Sequence, residues 1–176
     1  PGVGENLSDH LQVRAAFRVT GVSTLNTRIR SLTGQTSMAL NFALRRRGPL
    51  TMSPSQLGVF CKSDPSRETA NLQYHVQPLS LDAFGEPLHG FDAFTASVCN
   101  LRPESRGSVH VLSRSFRDAP LIAPRYLSAP ADRQVAADAL RLTRRIVAQQ
   151  AMARYRPEEF RPGPDIDLDE DLATAA

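Results

Sequence analysis

Tryptophan is absent from the 176 residues, aromatic side chains make up only 6%, and cysteine occurs twice, at Cys61 and Cys99. Two cysteines 38 positions apart cannot form the dense framework of a small disulfide-stapled fold. They suit a reduced cytosolic protein, although two cysteines that a fold brings together can still pair. The shortage of aromatics leaves few platforms on which nucleic-acid bases could stack. No stretch approaches the roughly 20 apolar residues that a membrane-crossing helix needs. Ten glycines without a repeat exclude a collagen-like chain. A net charge of only +3 with 41% hydrophobic residues excludes intrinsic disorder.

What is present suits one globular domain, because a chain of this length buries roughly 70% of its unfolded surface on folding. Lys62 is the only lysine among 21 basic residues, so the positive charge is almost entirely arginine. Arginine binds phosphate and carboxylate through two parallel hydrogen bonds, which invites a nucleic-acid reading. A GC-rich genome accounts for the same bias more simply. The acids are unevenly placed: Asp165, Asp167, Asp169, Glu170 and Asp171 follow Arg161 with no cation among them. Residues 1–161 therefore read as a basic domain and 162–176 as an acidic tail. The chain opens at Pro1, without an initiator methionine or a signal peptide, and so reads as a piece of something longer.

Residues 1–10 are turn-rich and show no periodicity. Leu11, Val13, Ala15, Phe17 and Val19 then alternate as a strand does, ending at Gly21. A helix is predicted over 35–47, with Met38, Leu40, Phe42 and Leu44 as its apolar content. Arg45, Arg46 and Arg47 fill its last turn and Gly48-Pro49 stops it. Further strands are predicted at 58–61, 72–77, 93–101 and around Val109–Val111, with loops at 62–70, 80–90 and 113–119. The strongest pattern is a helix over 130–153, with Ser128 as cap and Val135, Ala139, Leu142 and Ile146 as its core stripe. Strands and two main helices without strict alternation predict an α+β fold. Its sheet should be mostly antiparallel, with helices packed on one face.

Several motifs fail on chemistry. Gly2-Val3-Gly4-Glu5-Asn6-Leu7 starts like a dinucleotide fingerprint, but Leu7 stands where the third glycine belongs and no strand precedes it. Asp165, Asp167 and Asp169 imitate half of an EF-hand loop, yet Glu170 replaces the glycine of its turn and Ala176 its final glutamate. The four histidines, His10, His75, His89 and His110, show no metal-ligand spacing, and no Gly-x-Ser-x-Gly elbow exists. Arg141, Arg144 and Arg145, with Arg154 and Arg156, could bind phosphates, although a solvated helix face explains them as well. Gln73, His75 and Gln77 stand out, being three same-face polar residues opposite Leu72, Tyr74 and Val76. They line either a cavity or an ordinary wet face.

A family resemblance spans nearly the whole chain. Pro1-Gly2-Val3-Gly4-Glu5-Asn6-Leu7-Ser8-Asp9-His10 resembles a signature segment of the glucose–methanol–choline (GMC) flavin oxidoreductases. Arg47-Gly48-Pro49-Leu50-Thr51 and Leu72-Gln73-Tyr74-His75 follow in the family's order. So do Leu101-Arg102-Pro103-Glu104-Ser105-Arg106-Gly107-Ser108-Val109, Ala119-Pro120-Leu121-Ile122 and Tyr126-Leu127-Ser128. Arg141-Leu142-Thr143-Arg144 and Tyr155-Arg156-Pro157-Glu158-Glu159 complete the series, nearest to choline-dehydrogenase-like and alcohol-dehydrogenase-like members. The resemblance implies a parent that oxidises a primary alcohol to an aldehyde, with FAD taking hydride and a histidine base taking the proton. The family's FAD fingerprint and its C-terminal catalytic histidine have no counterpart here. Residues 1–161 are therefore expected to be the substrate-binding domain alone, inactive by itself and without bound FAD. Gln73, His75 and Gln77 would be its substrate-facing residues, and no catalytic residue is assigned. Its partners would be the alcohol and the FAD-binding domain of the same polypeptide, with no nucleic acid and no membrane span. The interface left exposed would favour self-association. Two other readings stand beside this one: a basic binding module for nucleic acid or protein, and a free-standing scaffold that has lost activity.

Overall fold

A computed structural model describes residues 2–53, 55–83, 85–166 and 171. Most of the predicted acidic tail, including Asp167, Asp169 and Glu170 of the EF-hand-like run, lies outside the described residues. The core is a five-stranded antiparallel sheet built from β2 (Gln12–Arg18), β3 (Leu57–Cys61), β4 (Leu72–Gln77), β5 (Ala93–Asn100) and β8 (Glu158–Arg161), in the order β3-β4-β5-β2-β8. A second, three-stranded sheet runs β1 (Glu5–Leu7), β6 (Gly107–His110), β7 (Leu121–Ala123). The fold is α+β with antiparallel sheets. The alternation of Val13, Ala15 and Phe17 turns these side chains to one face, where Leu72, Tyr74, Ala96 and Val98 join them. Cys61 belongs to that face and Cys99, paired with Gln73 across the ladder, to the other, so the two thiols are free.

The helix α3 (Pro130–Val147) covers the apolar face. Its buried residues are Asp132, Val135, Ala136, Ala137, Ala139, Leu140, Thr143 and Val147. The predicted stripe is thus correct at Val135 and Ala139 but rotated beyond them, since Leu142 is only half-buried and Ile146 is 45% exposed. At about 100° per residue Leu142 and Ile146 lie within about 20° of Val135, whereas Ala139, Thr143 and Val147 lie about 40°, 80° and 120° further round, so the sheet-facing arc is centred past Val135 and leaves those two at its edge. Ser128 does not cap the helix: Ala129 takes that place without a side-chain bond, and Pro130 sits in the first turn. The helix also ends earlier than predicted, at Val147, and a separate turn α4 (Gln150–Ala153) follows.

The strands β1, β7 and β8 had no clear periodicity because each is only three or four residues long. Chain-distant contacts hold β1 and β8 instead, and β7 pairs with the neighbouring β6. Asp132, 4% exposed in the first turn of α3, accepts the backbone N–H groups of Glu104 (2.9 Å) and Ser105 (2.7 Å) and the Ser105 hydroxyl (2.5 Å). That clamp fixes the segment entering β6. Arg144 donates twice to Glu159, both at 2.9 Å, and once to the Gly163 carbonyl, tying β8 to α3.

The other face of the main sheet is half covered. Residues 78–92 fold over its β2–β8 side, where Arg14 donates to the carbonyls of Leu81 and Asp82 and Thr95 donates to Leu79 O. The Phe91 and Phe160 rings meet edge-on there, with Arg18 4.2 Å above Phe91. The β3–β4 side stays open, and Phe60 on it is 63% exposed.

Two helices precede β3. The short α1 (Leu25–Arg28) is locked to the 78–92 segment: the fully buried Asn26 donates to the carbonyls of Ser80 and His89, both at 3.0 Å, and accepts the Ser80 N–H. The predicted second helix is α2 (Leu32–Arg45), capped by the Ser31 hydroxyl, which accepts the Gly34 N–H at 2.9 Å. It stops at Arg46, which takes a left-handed conformation, before the predicted Gly48-Pro49 stop. Gly48-Pro49 instead opens a single 3-10 turn, Pro49–Thr51. Only Met38 of α2 is buried, and Leu44 is 79% exposed. None of the described helices is long and apolar enough to cross a membrane.

Candidate functional site

Gln73, His75 and Gln77 occupy one face of β4, as their spacing predicts, and it is the face that α3 leaves uncovered. Their ladder neighbours on β5 are Cys99, Ser97 and Thr95, so the face is polar across two strands. Gln73 and His75 are half-buried, while Gln77 is buried and its Nε2 donates to the Ser55 hydroxyl at 3.4 Å. This bond joins the β4 face to the segment that leads into β3.

That segment lines a cleft of about 610 Å³, formed by Ser23, Thr24, Leu25 and Arg28, by Gly48, Pro49 and residues 51–53, and by Gln56 and Pro78. Each wall has a local cause. Leu25 N–H bonds the Pro78 carbonyl at 3.1 Å, which seats α1 on the end of β4. Asp92 accepts the Thr24 N–H (2.6 Å) and the Thr24 and Thr27 hydroxyls, fixing the N-terminal side of α1. The Thr51 hydroxyl donates to Gly48 O at 2.8 Å and closes the 3-10 turn. Arg28, in the last turn of α1, lines this cleft and a neighbouring groove of about 410 Å³ alongside α2. Sequence reading missed the cleft because four separate segments compose it. Its one local signal was Gly48-Pro49 with Thr51, already noted as a family-like motif.

An apolar groove of about 340 Å³ runs on the α3 side between Leu57, Val59, Val76, Phe94, Ile146 and Met152. The Tyr74 hydroxyl closes its floor, bonded to Thr143 Oγ1 at 2.9 Å and to Ala139 O at 3.2 Å. Burial pushes the Tyr74 phenol up to about 12. Burial also raises the thiols of Cys61 and Cys99, which disfavours the nucleophilic thiolate.

Other reactive groupings are structural. Ser80 Oγ lies 2.9 Å from His89 Nδ1, and His89 Nε2 lies 3.3 Å from Asp82, so serine, histidine and aspartate form a connected chain. Ser80 is 0% exposed, however, and no substrate can reach its hydroxyl. Arg161 and then His89 hold the Asp82 carboxyl below its usual range by hydrogen bonding. Of the predicted phosphate-binding arginines, Arg144 is committed to Glu159 and Arg141 lies 3.8 Å from Asp138. Asp9 bonds Tyr126 and its own neighbour's N–H, and His10 faces Leu101 O at 3.3 Å. Among the described residues no three histidine, cysteine or acidic side chains converge on a metal position.

The described residues do not fit a dinucleotide cradle. Gly2-Val3-Gly4 leads into a strand, not a helix, so no helix N-terminus faces a pyrophosphate. A Cβ on Gly4 would stand 2.1 Å from Val109 O, so this glycine serves the contact between β1 and β6.

Comparison with known proteins is consistent across sequence and structure. Residues 103–176 match the family model described as GMC oxidoreductase. Over 98% of its length the chain is 34% identical to an oxygen-dependent choline dehydrogenase of Chromohalobacter salexigens. Over the same share it is 30% identical to an alcohol dehydrogenase [acceptor] of Pseudomonas putida. It spans 31% of the length of each of these enzymes. Its fold matches 35% of a formate oxidase of Aspergillus oryzae with a TM-score of 0.80 over 99% of this chain, at 16% identity.

Proposed function

From its kinship with the GMC oxidoreductases, we propose that this chain is the substrate-binding domain of a flavin-dependent alcohol oxidoreductase. The observation that carries this reading is the coincidence of two things. Nearly all of the chain aligns with one third of a choline dehydrogenase. Its main sheet also keeps the β3–β4 side of one polar face uncovered next to a roomy cleft. The reaction class is oxidation of a primary alcohol to an aldehyde with FAD as hydride acceptor. The FAD-binding domain and the proton-accepting group belong to polypeptide beyond the described residues, so this chain alone is inactive. Its own residues contribute the walls: Gln73, His75 and Gln77 present donors and acceptors from a rigid strand, and Gln77 braces the Ser53–Gln56 segment through Ser55. Rigid placement of a substrate hydroxyl is what a binding domain supplies to a hydride transfer.

The test is a chimera in which this chain replaces the matching third of the Chromohalobacter salexigens choline dehydrogenase. The expected result is a flavoprotein with a band near 450 nm that reduces a dye on addition of a primary alcohol. A chimera that holds FAD but oxidises none of a panel of choline, aliphatic and aryl alcohols overturns the reading. The binding-module alternative loses support because two of its three helix arginines face acids within the fold.

A further inference from the structure

The cleft is cationic in a way that its relatives' names do not suggest. From Leu11 to Ser63 the chain has no aspartate or glutamate, while it carries Arg14, Arg18, Arg28, Arg30, Arg45, Arg46, Arg47 and Lys62. The cleft walls come from this stretch, except for Pro78, and contain one charged residue, Arg28. The neighbouring groove adds Arg45 and again no acid. Arg28 is half-buried; its backbone N–H bonds the Thr24 carbonyl at 3.2 Å, but its guanidinium has no ion-pair or hydrogen-bond partner among the described residues. The acid fixed to the cleft wall is Asp92, whose Oδ1 already accepts three donors from Thr24 and Thr27. Ser23 and Gln56 offer polar atoms, and Leu25, Pro49, Met52 and Pro78 offer apolar wall between them and Arg28. Among the described residues no aromatic ring lines the cleft.

A quaternary ammonium needs aromatic faces or a carboxylate around it. This cleft has neither, and its one charge repels a cation. A half-buried guanidinium without a partner is suited to a carboxylate, which it binds through two parallel hydrogen bonds. We infer that the cleft takes an aliphatic alcohol that carries a carboxylate, with the acid on Arg28, the methylenes along Leu25, Pro49, Met52 and Pro78, and the hydroxyl toward Gln56. The Gln56 end adjoins the β4 face through Ser55 and Gln77, so the hydroxyl reaches the polar surface assigned to substrate. This inference rests on the reading of the chain as an alcohol-binding domain and names the class of alcohol.

The experiment titrates 6-hydroxyhexanoate, 1-hexanol and choline separately into the full 176-residue chain at low salt, followed by backbone amide shifts. The acid should move the amides of Thr24, Arg28, Thr51 and Gln56 and bind at least about tenfold more tightly than hexanol, the advantage expected of one charge-assisted contact. Choline should leave these amides unmoved. Arg28→Gln should remove the tenfold advantage, Arg28→Lys should keep part of it, and Arg114→Gln, outside the cleft, should keep all of it. Equal affinity for acid and hexanol, a response to choline, or no response to the acid overturns the inference without need of any variant. The chimera separates the two readings. If it oxidises hexanol and ignores hydroxyhexanoate, the carboxylate assignment alone fails. If the chain binds the acid at Arg28 while an FAD-loaded chimera oxidises no alcohol, the domain assignment alone fails.

Discussion

Asp132→Asn isolates the buried clamp that joins α3 to the second sheet. In the wild type the carboxylate accepts the Glu104 N–H on both oxygens (2.9 and 3.1 Å), the Ser105 N–H at 2.7 Å, the Ser105 hydroxyl at 2.5 Å and Asn100 Nδ2 at 3.2 Å. The amide that replaces it keeps one accepting oxygen and turns an NH₂ toward donors. Two donors on the Oδ2 side, both from Ser105, are then stranded. A stranded buried donor costs about 1–3 kcal/mol, so the two cost about 2–6 kcal/mol. At about 2–4 °C per kcal/mol for a domain of this size, the melting temperature falls by about 4–24 °C. The pH dependence sharpens the test. Burial works against the Asp132 charge, but the Ser105 hydroxyl and the N–H groups of Glu104 and Ser105 outweigh it, and the carboxyl sits below its usual value of 3.8. A depressed carboxyl stabilises the fold above its unfolded pKa and loses that contribution as pH falls through the folded one. The gap between wild type and D132N should be widest at pH 7 and should shrink below about pH 4. Urea melts followed by circular dichroism at pH 7, 5 and 3 measure it. A gap under about 1 kcal/mol at pH 7 would refute the clamp, and a gap that stays constant to pH 3 would refute the charge.

Three further outcomes follow from other contacts. Arg144→Ala leaves the largely buried Glu159 without its two 2.9 Å bonds, and should cost about 2–4 kcal/mol. In a double-mutant cycle with Glu159→Ala the coupling should exceed about 1 kcal/mol, and a value near zero would show the pair to be incidental. Tyr74→Phe should cost only about 1 kcal/mol, because Thr143 Oγ1 keeps its own 2.8 Å bond to Ala139 O. Ultraviolet titration of the wild type against this variant should show that the phenol lost is one that ionises at about 12. Gly4→Ala forces a Cβ against Val109 O and strains a backbone at φ +84°, so it should detach β1 from β6 and cost about 2 kcal/mol or more. Unchanged amide exchange at Val109, which donates to Gly4 O at 2.7 Å, would contradict this.

The longer elements were legible because burial imposes a period. Alternation at Val13, Ala15 and Phe17 and at Leu72 and Tyr74 marked β2 and β4, and both turn these residues to the core. The shorter ones were not. β1 and β8 exist through partners 80 or more positions away, β8 with the Arg144–Glu159 tie besides, while β7 pairs with the nearby β6, and three or four residues carry no readable period. The rotated stripe of α3 has the same origin. Ile146 is apolar enough to belong to a core, and only the position of the sheet shows that it faces out.

Composition and residue order by themselves determined the α+β class, the resemblance to the GMC oxidoreductases and the polar face carried by Gln73, His75 and Gln77, because each is written in local spacing or in a linear series of motifs. The tertiary structure alone decided which charges remain available. Arg144 and Arg28 look alike in the sequence, yet one is paired with Glu159 and the other lines a cleft with no acid in its wall. The difference arises because electrostatic pairing acts through space, at the few ångströms that folding sets, and not along the chain.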